Sequence, residues 1–129
     1  MFSMEIKPGF PTAVLIPGSM GSFSYILAGV ASNERALSST NHGAGRRMSR
    51  TAAAGKVRRD GKVLRPGLIT DEAFRVAMEG VTLICENRHT IKEEAPQAYK
   101  DIDTVIEAVI GARLAKVVAK MRPLAVLKG

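Results

Sequence analysis

His42 is followed by Gly43, Ala44 and Gly45, and then by Arg46, Arg47 and Arg50. A histidine beside glycines has an open ring, and the missing side chains leave room for a nucleotide along the backbone. Neutral imidazole is a competent nucleophile near neutral pH, because its unperturbed pKa is about 6.5. On a helix, Arg46 and Arg50 would share one face at spacing i, i+4. A nucleophile at the start of a basic helix suits attack on a phosphate, whose developing negative charge the arginines can stabilise. These residues alone leave a plain loop histidine beside a basic helix as the alternative.

A second segment, Pro17-Gly18-Ser19-Met20-Gly21-Ser22, directly follows an apolar run. Its glycines would let backbone amides approach an anion, and its serines add donors. It lacks the Gly-Lys-Ser/Thr of a Walker A loop and the Gly-x-Gly-x-x-Gly of a dinucleotide fold. By itself it reads as an ordinary tight turn. Tyr99 offers an apolar face and a hydroxyl, which serve a base or a half-buried position equally. Lys128 reads as a frayed, solvated charge, and Glu93 and Glu94 as solvated acids with no catalytic role. Soft metal ligands are few: Cys85, His42 and His89, with no Cys/His cluster, so no metal site is expected within the chain.

The elements that must position these groups follow from hydrophobic pattern. Ala13–Ile16 and Phe23–Leu27 read as strands joined through the glycine-rich turn, with backbone amides exposed at its tip. Residues 46–59 read as a short helix ending near Gly55 or a little later, with its basic residues on one side. Asp71–Glu79 reads as a helix with acids in its first turn and Gly80 as its stop. Val81–Cys85 is β-branched and short, a strand, and Cys85 within it acts as a small hydrophobe. Ile102, Val105, Ile106, Val109 and Ile110 form one apolar helical stripe. Val117-Val118 and Ala125–Leu127 read as short closing strands split by Pro123. The expected fold class is α+β, an α/β-like layered domain spanning all 129 residues.

The charge is local. Between Arg46 and Arg65 lie eight basic residues against Asp60 alone, and this stretch carries the whole formal net charge of +7. Such a concentration on a neutral body favours phosphates of a nucleic acid, with a solvated basic loop as the alternative. The single cysteine excludes an internal disulfide and fits a reducing cytoplasm. No secretory signal is read at the start, and no apolar run is long enough for a membrane helix, so no membrane partner is expected.

Four blocks resemble the RtcB RNA-splicing ligase family. They are Val14-Leu15-Ile16-Pro17-Gly18-Ser19-Met20-Gly21 with Ser24-Tyr25; Asn41-His42-Gly43-Ala44-Gly45-Arg46 with Met48-Ser49-Arg50; Glu94-Ala95-Pro96-Gln97-Ala98-Tyr99-Lys100-Asp101; and Met121 to Gly129. They occur in the family's order from about Val14 to the end of the chain. The resemblance implies a GTP- and manganese-dependent ligase acting in tRNA splicing or RNA repair, which joins an RNA 3′-phosphate or 2′,3′-cyclic phosphate to a 5′-hydroxyl. It implies that His42 carries GMP, and that Ser19, Met20 and Ser24 line the guanosine site. Gly43, Ala44 and Gly45 would lie along the nucleotide, Tyr99 near guanine or ribose, and Lys128 on guanine. Arg46 and Arg50 would grip phosphate or RNA.

Members of that family are much longer. The resemblance therefore implies a carboxy-terminal, guanylate-binding part whose manganese ligands lie in a missing amino-terminal portion, inactive without it. That portion, broken RNA or tRNA halves, and archease are the implied partners. A non-catalytic basic RNA-binding module and a degenerate remnant are the alternatives.

Overall fold

The computed structural model describes residues 12–30, 40–86 and 90–129; the first residues of the chain and His89 lie outside the described residues. In chain order the elements are β1 (Ala13–Ile16), β2 (Ser24–Gly29), α1 (Arg50–Ala54), β3 (Gly55–Val57), β4 (Val63–Pro66), α2 (Asp71–Ala77), β5 (Thr82–Cys85), two 3₁₀ turns (Ile91–Glu94 and Pro96–Ala98), α3 (Ile102–Gly111), β6 (Ala115–Met121) and β7 (Ala125–Lys128). Helices and strands are mixed, as the α+β expectation required.

β1 and β2 form an antiparallel pair with Ile16 opposite Tyr25, and β6 joins the free edge of β2. β3 and β4 make a separate antiparallel hairpin, and β5 pairs with β7 in parallel. α3 lays Ile102, Ile106 and Val109 against Ile16, Tyr25, Leu27, Ala44 and Ala115, which form the largest buried cluster. Asp101 starts this helix by accepting from the Asp103 and Thr104 amides, satisfying donors that the first turn leaves open. A second cluster, three alanines (Ala53, Ala95 and Ala98) around Ile69, locks α1 to the 3₁₀ turns. The third, Met20, Met78 and Ile91, gathers the glycine-rich turn, the end of α2 and the β5–β7 pair.

Three expectations need correction. The basic segment 46–59 is not one helix: α1 has only five residues, and Gly55, at φ +85°, turns the chain into β3. Asp60-Gly61 between Val57 and Val63 is a hairpin signal, and Gly61 adopts φ +85° there. Val117-Val118 and Ala125–Leu127 do lie in two strands split by Pro123, but the first is seven residues long and pairs with β2. Finally, β2 runs two residues further than expected, to Gly29, because β6 extends its ladder.

Candidate functional site

The glycine-rich turn is held by its own serines. The Gly18 amide donates to Ser24 Oγ at 3.1 Å and the Ser19 amide to Ser22 Oγ at 2.7 Å, while the Ser19 and Ser22 hydroxyls lie 2.8 Å apart. Those two amides are therefore satisfied within the turn, against the expectation of exposed amides at its tip. Gly21 lets the turn press on its neighbours: a Cβ there would lie 2.5 Å from the Ala77 carbonyl and 2.8 Å from Pro96 Cγ. Met20 is buried with Met78 and Ile91. Its side chain belongs to the core, so it would border a nucleotide only through its backbone.

The His42 loop lies beside this turn. A Cβ on Gly43 would come within 3.6 Å of the Pro17 carbonyl. Asn41 Nδ2 donates to the Gly43 carbonyl at 2.9 Å, which shapes the bend. Ala44 is buried in the main cluster and pins the loop to the sheet, leaving His42 and Gly45 exposed on either side. Beyond Gly45 the chain pairs with the Tyr99 segment: the Lys100 amide donates to the Gly45 carbonyl at 2.9 Å and the Arg47 amide to the Ala98 carbonyl at 3.0 Å. His42 thus stands on a loop fixed at one end by the Pro17 turn and at the other by Tyr99.

Around Tyr99 the side chains form one polar network. Arg46 donates to the Tyr99 hydroxyl at 3.0 Å and to the Met48 carbonyl at 3.2 Å, and its guanidinium lies 4.8 Å from the Tyr99 ring centroid. Its remaining donors serve the Glu93 carbonyl and the Glu94 carboxylate, the latter 3.5 Å away. The Tyr99 hydroxyl donates to Glu94. Arg50 reaches Glu94 at 3.6 Å and Glu93 at 3.9 Å. Burial alone would raise the Glu94 pKa, but the Tyr99 hydrogen bond and the charges of Lys128, Arg46 and Arg50 together hold it below the ordinary glutamate value. The same surroundings push the Tyr99 hydroxyl up, through burial first and then the bond to ionised Glu94.

The network revises several sequence readings. Glu94 is its central acceptor, half-buried and ionised, and not a solvated acid. Arg46 and Arg50 do meet at one place, but through Glu94 and not through a shared helix face. Arg46 is only a quarter exposed, and its guanidinium already bonds Tyr99, Glu94 and the Met48 and Glu93 carbonyls. Tyr99 is half-buried: Arg46 lies over its ring, which also packs against the first and second buried clusters. Lys128 is no frayed end: it lies in β7 opposite Cys85, and its charge acts on Glu94.

Among the described residues, no three His, Cys, Asp or Glu side chains are grouped to hold a metal ion. The donor set around His42 therefore does not fit manganese by itself. A cleft lined by Asp71, Phe74, Leu83, Cys85, Ile91 and Lys92 lies elsewhere, and none of the expected site residues lines it. No described helix is long and apolar enough to cross a membrane.

Comparison with known proteins agrees with the four blocks. The model of the family described as tRNA-splicing ligase RtcB matches residues 8–129. Among curated relatives, a tRNA-splicing ligase RtcB of Pyrococcus furiosus is 44% identical over 117 residues, covering 90% of this chain and 11% of its own length. That of Aeropyrum pernix is 41% identical, covering 90% of this chain and 22% of its own length. An RNA-splicing ligase RtcB of Mycobacterium bovis is 46% identical over 116 residues, 90% of this chain and 24% of its own length. The chain thus spans between a ninth and a quarter of the relatives it matches.

Proposed function

The chain belongs to the RtcB family of tRNA-splicing ligases, and from that premise we propose that it is the guanylate-holding part of a GTP-dependent RNA ligase. The observation that supports this reading most is convergence. The Pro17–Ser24 turn, the His42 loop, the Glu94–Tyr99 segment and Lys128 are far apart in sequence, yet each touches or acts on the next.

In this reading the His42 imidazole attacks the α-phosphorus of GTP. A P–N bond forms, the α–β phosphoanhydride breaks, and pyrophosphate leaves. The RNA 3′-phosphate then displaces the imidazole, which breaks the P–N bond and forms a phosphoanhydride to GMP. Attack by the 5′-hydroxyl on the activated 3′-phosphate seals the strand and expels GMP. Ala44 buried in the core and the Gly45–Lys100 bond fix the backbone that carries His42, so the loop need not be ordered when the nucleotide arrives. Gly43 and Gly45 leave the backbone open to it, Ser19 and Ser24 border the guanosine, and Tyr99 and Lys128 provide a ring edge and a cation beside the base. Manganese would offset the charge of the leaving pyrophosphate. We place its ligands in another portion of the ligase, and with them the need for that portion in activity. The reading also includes a cytoplasmic setting and archease as a helper.

Incubation with GTP labelled at the α-phosphate, with manganese and a separately supplied amino-terminal portion of a family ligase, tests it. An acid-labile label on the peptide containing His42, absent in His42→Ala, is the expected result. A label on another residue, or none after reconstitution, refutes it.

A further inference from the structure

The eight basic residues of 46–65 look uniform in sequence, but the fold divides them. Arg46 is occupied by Tyr99, Glu94 and backbone carbonyls, and Arg47 Nε donates to the Gln97 carbonyl at 2.8 Å. Arg50 faces Glu93 and Glu94. The other five belong to the β3–β4 hairpin and its tip. Of these, Arg58 is paired with Asp60 at 3.1 Å. Among the described residues no acid pairs with Lys56, Arg59, Lys62 or Arg65, and all four are exposed.

Lys56 and Arg65 are direct cross-strand partners, so two like charges stand side by side on one face. Such a pair destabilises a hairpin, unless an anion lies across it. The hairpin is nevertheless firmly mounted. A Cβ on Gly67 would lie 2.4 Å from the Ala53 carbonyl, and one on Gly55 would lie 2.5 Å from the Arg65 carbonyl. The Leu68 and Ile69 amides donate back to Ala52 and Ala53, and Ile69 is buried. At the tip the Arg58 amide donates to the Lys62 carbonyl at 2.8 Å, and Asp60 accepts from the Lys62 amide at 3.1 Å. A stiff arm bearing unneutralised cations, rooted on the helix that follows the His42 loop, meets the requirements for tracking a phosphodiester backbone.

We infer that the β3–β4 hairpin, and not Arg46, is where this chain holds RNA: Lys56, Arg59, Lys62 and Arg65 contact phosphates of the strand flanking the ends to be joined. This rests on RNA being the ligand of the ligase reading. It does not depend on chemistry at His42.

The test is fluorescence anisotropy of a labelled single-stranded RNA with the full chain, without GTP or manganese, across a KCl titration. Each phosphate contact on a single strand contributes about 0.7 to the slope of log affinity against log salt. The Lys56→Gln/Arg65→Gln variant should therefore bind more weakly, with a slope shallower by about 1.4, while keeping the wild-type thermal melt. Arg75→Gln, an exposed cation on α2, should leave the slope unchanged. An unchanged slope in the double variant, no RNA binding by the wild type, or equal affinity for poly-glutamate each overturns the inference. A chain that binds RNA through the hairpin yet never labels His42 refutes the ligase reading alone. One that labels His42 with an unchanged slope refutes the hairpin alone.

Discussion

Glu94 collects the Tyr99 hydroxyl and the charges of Lys128, Arg46 and Arg50 on one carboxylate. Glu94→Gln keeps the shape and removes the charge, and should lower stability by about 1 kcal/mol, below the usual range for a charged hydrogen bond because the group is partly exposed. The pH dependence follows in sign. A carboxylate whose folded pKa is depressed stabilises the fold above the unfolded value, about 4.3, and loses that contribution as pH falls through the folded pKa. Asp103, held down by hydrogen bonds from Lys120 and then Tyr25, acts in the same window. Denaturant midpoints measured from pH 6 to pH 2 should fall below about pH 4.3, and Glu94→Gln should flatten the drop without abolishing it, because Asp103 remains. Tyr99, with its pKa raised, contributes below about pH 10 and loses that contribution above it. None of this coupling was legible in the sequence. Glu93 and Glu94 look like two surface acids until the Gly45–Lys100 and Arg47–Ala98 pairing brings Arg46 beside them.

At the scale of elements, local pattern sufficed where contacts are local. The α3 stripe and the Ala13–Ile16 strand are read from spacing, and the Asp101 cap matches the start of the helix. Asp101→Ala should cost about 1 kcal/mol by thermal or chemical denaturation, the usual worth of such a cap, with the proposed nucleotide site unaffected. Pairing between distant segments was not legible. β5 and β7 join in parallel across some forty residues, and no feature of Val81–Cys85 names its partner. The 46–59 segment misleads because three alanines and a run of basic residues suit a helix, while Gly55 and Asp60-Gly61 decide for a hairpin. Gly21 is the joint between the serine turn and the Glu94–Tyr99 segment. Gly21→Ala would drive a methyl into the Ala77 carbonyl. It should lower the melting temperature and weaken GMP binding together, whereas Asp101→Ala lowers only the first.

For the molecule as a whole, several large apolar side chains in and beside the strands stand exposed. Leu124 and Leu127 are at least three-quarters exposed, and Ile84, Val118 and Leu15 more than half. Exposed apolar surface of this kind favours association, so light scattering should show concentration-dependent self-association that Leu124→Ser/Leu127→Ser reduces. The family was legible from four short blocks because they occur together and in one order along the chain. Their convergence was not, since it depends on the Gly21–Pro96 and Arg46–Tyr99 contacts and on the β5–β7 pairing that sets Lys128 near Glu94. If the four blocks form the proposed guanylate site, amide chemical shifts of the isotope-labelled chain titrated with GMP will report it. Saturable shifts at residues 18–24, 42–46, 97–100 and 127–128, weaker with AMP and absent from the β3–β4 tip, are predicted. Shifts centred instead on the cleft of Asp71, Phe74 and Cys85, or none at these four blocks, would contradict it.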